Sequence, residues 1–276
     1  MPLNCPTNPG DIALGTGTSH TVWVPMDDAP ASQQRSIHLE ATVYLPAGEG
    51  PHPVVMFHHG STGPRLRLPT ETERPDEWGQ HLADRGIAVV APMRRGRGRS
   101  GGNYLETYFG DVEASERGIT YALQSTYACE DYLRQQSWVD QRQLVLAGAS
   151  RGGMLAAWHA ATRPGCCAGV IGFASGWTSS RGAGSEQADV NLQLLNRIGG
   201  RIEVPVLMLY ANEDPLYPRA RSEQYVERLR RKARNLEAQW LDAPSGHRFF
   251  AQSMPLWTAR VDAFLDGCLA AARGQP

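Results

Sequence analysis

The chain has almost no lysine: Lys232 is the single one among 27 basic residues, and all the others are arginines. A bias of this kind reflects coding preference, and it lowers the weight of any arginine cluster as a functional sign. An excess of charge is also missing. A net charge of -1 and an isoelectric point near 6.7 give no electrostatic case for nucleic acid or a membrane surface as partner. No apolar run approaches the ~20 residues that span a bilayer. The opening residues, Met1-Pro2-Leu3-Asn4-Cys5-Pro6, show neither a charged n-region nor an apolar h-region, so cytoplasmic residence is the expectation, with export left open for a processed chain. Cysteine is scarce as well, and Cys5, Cys129, Cys166, Cys167 and Cys268 include no pair with zinc-ligand spacing. They read as small buried hydrophobes; the alternative, one disulfide involving Cys129, would imply export. There is no internal repeat, no low-complexity tract and no linker, so residues 1–276 are expected to form a single domain.

What is present is an alternation of short apolar runs with helical patterns. Thr21-Val22-Trp23-Val24 and Ile37 to Leu45 suit an opening antiparallel portion. Val54 to Phe57, Ile87 to Val90, Leu144 to Ala147, Val170 to Ala174, Val204 to Tyr210 and Ala238 to Leu241 suit further strands, the early ones apolar throughout as buried strands are. Helical patterns over Glu77 to Arg85, Asp111 to Gln136, Met154 to Ala161, Arg221 to Arg234 and Phe249 to Ala272 fall between or after them. The order predicts an α/β fold with a mostly parallel twisted sheet and helices on both faces. Residues 178–200 break the rhythm and suggest a small lid or cap, or only a long connection.

The chemistry centres on Gly148-Ala149-Ser150-Arg151-Gly152-Gly153, which follows the apolar run ending at Ala147. A Gly-x-Ser-x-Gly between strand and helix forces a sharp turn that pushes one hydroxyl above the sheet, and its glycines leave room where strand and helix pass closely. A serine hydroxyl needs a base to take its proton, normally a histidine oriented by a carboxylate. Asp214 follows the strand ending at Tyr210, and His247 lies between the last strand and the last helix. Loops at the carboxyl ends of parallel strands converge on one crevice, so Ser150, Asp214 and His247 are expected to meet there. Glu213 is the alternative acid, and His159 reads as a packed or surface residue. The loop His58-His59-Gly60-Ser61-Thr62-Gly63 would supply an oxyanion hole, with the N–H groups of Ser61 and Arg151 as donors and Thr62 as the alternative to Ser61. Trp177 and Tyr217 are candidates to line a substrate pocket, with ordinary packing as the plain alternative. Arg94 to Arg99 has two readings, a guanidinium cluster for a substrate carboxylate or a structural turn, and the composition favours the turn.

Four blocks, His58-His59-Gly60-Ser61, Arg95 to Gly102, Gly148 to Gly153, and Asp214 with Gly246-His247, together resemble the α/β-hydrolases of the dienelactone hydrolase and prolyl-oligopeptidase-like branch. Dienelactone hydrolases proper use a cysteine where this chain has Ser150, which turns the expectation from dienelactone toward carboxylic esters. The resemblance implies a serine hydrolase acting on a small-molecule ester through an acyl-enzyme, with no metal or cofactor. A serine peptidase or amidase, an acyltransferase, and a non-catalytic ligand-binding relative are the alternatives.

Overall fold

The computed structural model describes residues 19–28, 36–61, 71–106, 111–179, 189–230, 233 and 235–274. Strands β1 (Ser19–Asp27), β2 (Ser36–Tyr44), β3 (His52–His58), β4 (Ala88–Pro92), β5 (Val139–Ala149), β6 (Gly169–Phe173), β7 (Val206–Ala211) and β8 (Leu236–Leu241) form one sheet. Its order is β1-β2-β4-β3-β5-β6-β7-β8. The β1–β2 and β2–β4 pairs are antiparallel, and every pair from β4 to β8 is parallel. Every residue of β3, β4, β6 and β7 is buried, as their unbroken apolar runs require of strands covered on both faces.

The helices are α1 (Asp76–Asp84), α2 (Val112–Leu133), α3 (Arg151–Thr162), α4 (Val190–Ile198), α5 (Arg219–Arg230), α6 (Phe249–Gln252) and α7 (Thr258–Arg273). Asp111 starts α2 by accepting the N–H groups of Glu113 at 2.7 Å and Ala114 at 3.3 Å. Gly118 sits buried inside α2 without breaking it.

One helix was expected over Phe249 to Ala272, and the structure divides it. α6 stops at Gln252, Met254–Leu256 form a short 3-10 turn, and α7 starts at Thr258. Pro255 accounts for the break, because it has no N–H to give and disfavours helical backbone in the residue before it. The strands also run longer than their most apolar stretches, β5 beginning at Val139 rather than Leu144. Cys129, Cys166, Cys167 and Cys268 are free thiols, so no disulfide involves Cys129. Within the segment 178–200, residues 180–188 lie outside the described set. The part that is described includes α4, which buries Val190, Leu192, Leu194, Leu195 and Ile198 against the body of the domain. No helix among the described residues is long and apolar enough to cross a membrane.

The register brings the strand ends level. His58 is the partner of Gly148, and Ala149 is the partner of Phe173, so the loops after β3, β5 and β6 leave the sheet side by side. Helix α3 then passes so close to these ends that a Cβ on Gly152 would overlap the His58 carbonyl oxygen. That obstacle is backbone at the sheet centre and cannot swing aside. Gly152→Ala is therefore expected to destabilise the fold by about 3 kcal/mol or more, or to prevent its recovery in soluble form. Gly267 lies on the exposed face of α7 with open space where a Cβ would stand. Gly267→Ala should raise stability by about 0.5–1 kcal/mol through helix propensity alone. Urea unfolding of the two variants side by side checks both signs.

Candidate active site

Ser150 sits between β5 and α3 with φ 55° and ψ −118°, a left-handed backbone that costs a non-glycine residue energy. Backbone hydrogen bonds hold it there. Its N–H donates to Phe173 O at 2.7 Å, and its carbonyl accepts from Gly153 N at 3.0 Å and Gly176 N at 3.2 Å. The hydroxyl faces His247, with Nε2 3.0 Å from Oγ. Arg151 is the first residue of α3, so the positive end of that helix lies beside the hydroxyl.

Asp214 is buried after β7, and its two oxygens do different work. Oδ1 accepts the N–H groups of Leu216 at 2.8 Å and Tyr217 at 3.1 Å, an Asx turn that fixes the carboxylate. Oδ2 lies 2.8 Å from His247 Nδ1. An ionised carboxylate only accepts, so Nδ1 carries the proton and Nε2 is left to accept from Ser150. Glu213, the alternative acid, is exposed. His247 stands in the 3-10 turn Gly246–Arg248, where Gly246 has φ 54° and a Cβ would press on the Glu213 carbonyl at 3.0 Å. Three residues from three strand ends thus form one hydrogen-bonded line, as the sequence order suggested.

The other sequence candidates divide. Ser61, half-buried, follows Gly60, where a Cβ would stand 3.2 Å from Ala149 O and 3.5 Å from Ser150 Cβ, so the loop after β3 lies against the elbow. Thr62 lies outside the described residues. Tyr217 is buried and meets the His247 ring edge-on at 5.2 Å. A Cβ on Gly176 would collide with its ring, so that glycine makes the approach possible. Trp177 is 1 % exposed and packs inward, its backbone N–H donating to Asn191 Oδ1 at 2.7 Å and its backbone carbonyl accepting from Arg151 Nε at 2.9 Å. It holds Arg151 rather than opening onto solvent.

The arginine run is structural at most of its positions. Arg95 pairs with Asp28 at 2.6 Å, Arg99 with Glu40 at 2.7 Å, and Arg97 stacks over Tyr104 at 3.6 Å. Arg94 is buried with Glu106 and reaches the carbonyls of the loop after β3. Glu106 had no signal in the sequence, because it sits in an irregular segment whose burial periodicity cannot reveal. His159 is fully buried against Glu130 at 2.8 Å. Glu130, His159 and Cys166 are close enough to share a cation, but the carboxylate already takes Arg134 at 2.7 Å and Arg163 at 3.0 Å. Two guanidiniums at the same carboxylate disfavour a metal there.

Residues 76–185 match the prolyl oligopeptidase family. The fold resembles that of Est1E from Butyrivibrio proteoclasticus with ferulic acid bound, with a TM-score of 0.65 and 17% identity, covering 90% of this chain and 99% of that one. It resembles equally the Pyrococcus furiosus esterase Pf2001, with a TM-score of 0.65 and 18% identity, covering 95% and 96%. An acylaminoacyl peptidase from Pyrococcus horikoshii gives a TM-score of 0.58 at 18% identity, over 82% of this chain and 37% of that one. No curated protein sequence matches the chain. The fold is that of the α/β-hydrolases. Within that fold, residues 76–185 carry the likeness to the prolyl oligopeptidase family.

Three imidazoles near or beneath the site are buried without solvent. Burial first, then repulsion from His159 and Arg94, holds His58 well below its ordinary pKa. Burial and the Arg94 charge do the same to His59, and burial lowers His159 despite Glu130. The folded protein leaves these rings neutral at pH values where the unfolded chain protonates them, near 6.5. Their contribution to stability is complete above that pH and falls as acid is added, by up to ~1.4 kcal/mol per pH unit for each ring. Urea unfolding between about pH 7 and pH 5 should therefore show a steep loss of stability, made shallower by His58→Gln; a flat profile would refute the neutral rings.

Proposed function

We propose that this protein hydrolyses carboxylic esters of small molecules through an acyl-enzyme formed on Ser150. The observation that carries the reading is the line from Ser150 Oγ to His247 Nε2 at 3.0 Å and from His247 Nδ1 to Asp214 Oδ2 at 2.8 Å, anchored on a strained elbow. His247 takes the hydroxyl proton as Oγ attacks the acyl carbonyl. Asp214 keeps the ring in its productive tautomer and stabilises the imidazolium that forms. The N–H groups of Ser61 and Arg151 receive the oxyanion. The imidazolium then protonates the leaving alkoxide, and a water deprotonated by the same ring releases the acid. Tyr217 packs the ring of His247 from the side.

The likeness to two esterases, each over almost its whole length, supports an ester as substrate. Ferulic acid bound to one of them is a carboxylic acid of the kind ester cleavage releases. The match to the prolyl oligopeptidase family supports a second reading, cleavage of aminoacyl amides by the same groups. A binding module without catalysis has no use for a strained serine aligned on a histidine–carboxylate pair.

The test is hydrolysis of p-nitrophenyl acetate, butyrate and octanoate by wild type, Ser150→Ala and Asp214→Asn. Ser150→Ala should lower kcat by roughly a thousandfold or more, and Asp214→Asn by roughly a hundredfold to ten-thousandfold. Turnover that survives Ser150→Ala would sink the reading. Faster turnover of aminoacyl p-nitroanilides than of any ester would shift it to the peptidase.

A further inference from the structure

We infer that Arg94 is a positioning residue of the oxyanion hole, holding the loop after β3 by its carbonyls, and that Glu106 holds Arg94 in place. The inference rests on the reading of Ser150 and Ser61 above. Arg94 follows β4 and is 2 % exposed, so its charge meets protein and not solvent. Its guanidinium donates in two directions. Nε and Nη2 form a fork on Glu106, at 2.5 and 3.1 Å. Nη1 donates to His59 O at 2.8 Å, and Nη2 also to Gly60 O at 3.1 Å.

The backbone of the same residue adds a third tie. Arg94 N–H donates to His59 Nε2 at 3.2 Å, which leaves the ring proton on Nδ1, and Nδ1 donates to Gly60 O at 2.9 Å. Both carbonyls of the loop are thus drawn to one side. A trans peptide is planar with its C=O and N–H opposed, so fixing those carbonyls turns the N–H groups of Gly60 and Ser61 to the other side. Ser61 N–H makes no hydrogen bond among the described residues, as a donor kept for a ligand requires.

Position is one effect, and polarity is the other. A hydrogen bond from a cation to a carbonyl polarises the peptide and strengthens the N–H at its far end. Glu106 balances the charge, without which a buried guanidinium would carry a heavy desolvation penalty. Lysine cannot replace Arg94, because three donors on one point do not span a carboxylate fork and two carbonyls. The arginine run therefore has one member that serves the reaction among others that serve the fold.

The test compares Arg94→Lys, Glu106→Gln and Arg95→Lys with wild type. It measures kcat and KM for p-nitrophenyl butyrate, inhibition by a butylboronic acid that mimics the tetrahedral adduct, and Tm. Arg94→Lys should lower kcat by roughly tenfold to a hundredfold with KM within about twofold, and weaken the boronic acid by a similar factor. Glu106→Gln should move the same quantities in the same direction. Arg95→Lys, which loosens only the Asp28 and α2 contacts, should lower Tm and leave kcat within about twofold. Folded Arg94→Lys and Glu106→Gln proteins with wild-type kcat and boronic-acid affinity would overturn the assignment, and Glu106→Gln decides it alone if Arg94→Lys does not fold. A wild type that neither turns over ester nor binds the boronic acid would overturn the hydrolase reading, and this assignment with it.

Discussion

The structure depends on how closely helix α3 passes the ends of β3 and β5. Gly148 and Gly152 face each other there with no room for a Cβ, and the His58 carbonyl fills the remaining space. That proximity forces Ser150 into a left-handed backbone, which costs of order 1–3 kcal/mol and persists only where neighbours over-determine it. They do: the bond from Ser150 N–H to Phe173 O ties the elbow to β6, and Gly176 ties the loop after β6 back to the Ser150 carbonyl. The register of β3, β5 and β6 is thereby part of the site. A slip of one residue in any of these strands would turn its inward set outward and remove the elbow's supports together.

Around that fixed point the remaining groups are held by backbone, not by long mobile side chains. Asp214 is pinned by two N–H groups of its own turn, so only one oxygen is left to address His247. Tyr217, three residues on, is brought against His247 by the same turn and against Gly176 by the missing Cβ. The turn thus delivers acid and aromatic support as one unit. The loop after β3 is fixed instead by side chains, Arg94 and His59, because an irregular loop offers no ladder to do so. In the proposed reaction, rigid placement of this kind has the donors in position before charge develops, which is the main source of electrostatic catalysis.

Much of this was legible in the sequence, and the reason differs from part to part. Ser150, Asp214 and His247 were readable because each follows a strand, and parallel topology sends all such loops to one end of the sheet. The mostly parallel sheet was readable from apolar runs that do not alternate. The break at Pro255 was signalled plainly and overridden by the apolar pattern on both sides of it. Trp177 and Tyr217 looked alike as aromatic residues beyond strands, yet one packs inward to hold Arg151 and the other meets the His247 ring. Nothing local separates them; the difference comes from which neighbour lacks a Cβ. Arg94 was hidden by composition, since in a chain with almost no lysine an arginine run carries little information. Its role shows only when its partners, Glu106 and two carbonyls distant in sequence, are in view.

The choice of His247 over the other histidines near the strand ends follows from charge. His58 and His59 lie closer along the chain to the oxyanion loop, and by sequence alone either could be imagined as a base. A proton on His59 would meet Arg94, and one on His58 would meet burial on every side. Both rings are driven neutral, and His59 uses its nitrogens to hold the loop. His247 has the opposite surroundings: a carboxylate 2.8 Å from one nitrogen and a partly exposed edge, its side chain 17% accessible. A base in the proposed reaction must gain a charge and lose it again in each turnover, and of the three rings only His247 has a carboxylate beside it. The same guanidinium that disfavours a proton on His59 holds the carbonyls of His59 and Gly60. In the proposed reaction Arg94 thus separates two tasks, keeping a proton off His59 while it holds the loop that would receive the oxyanion.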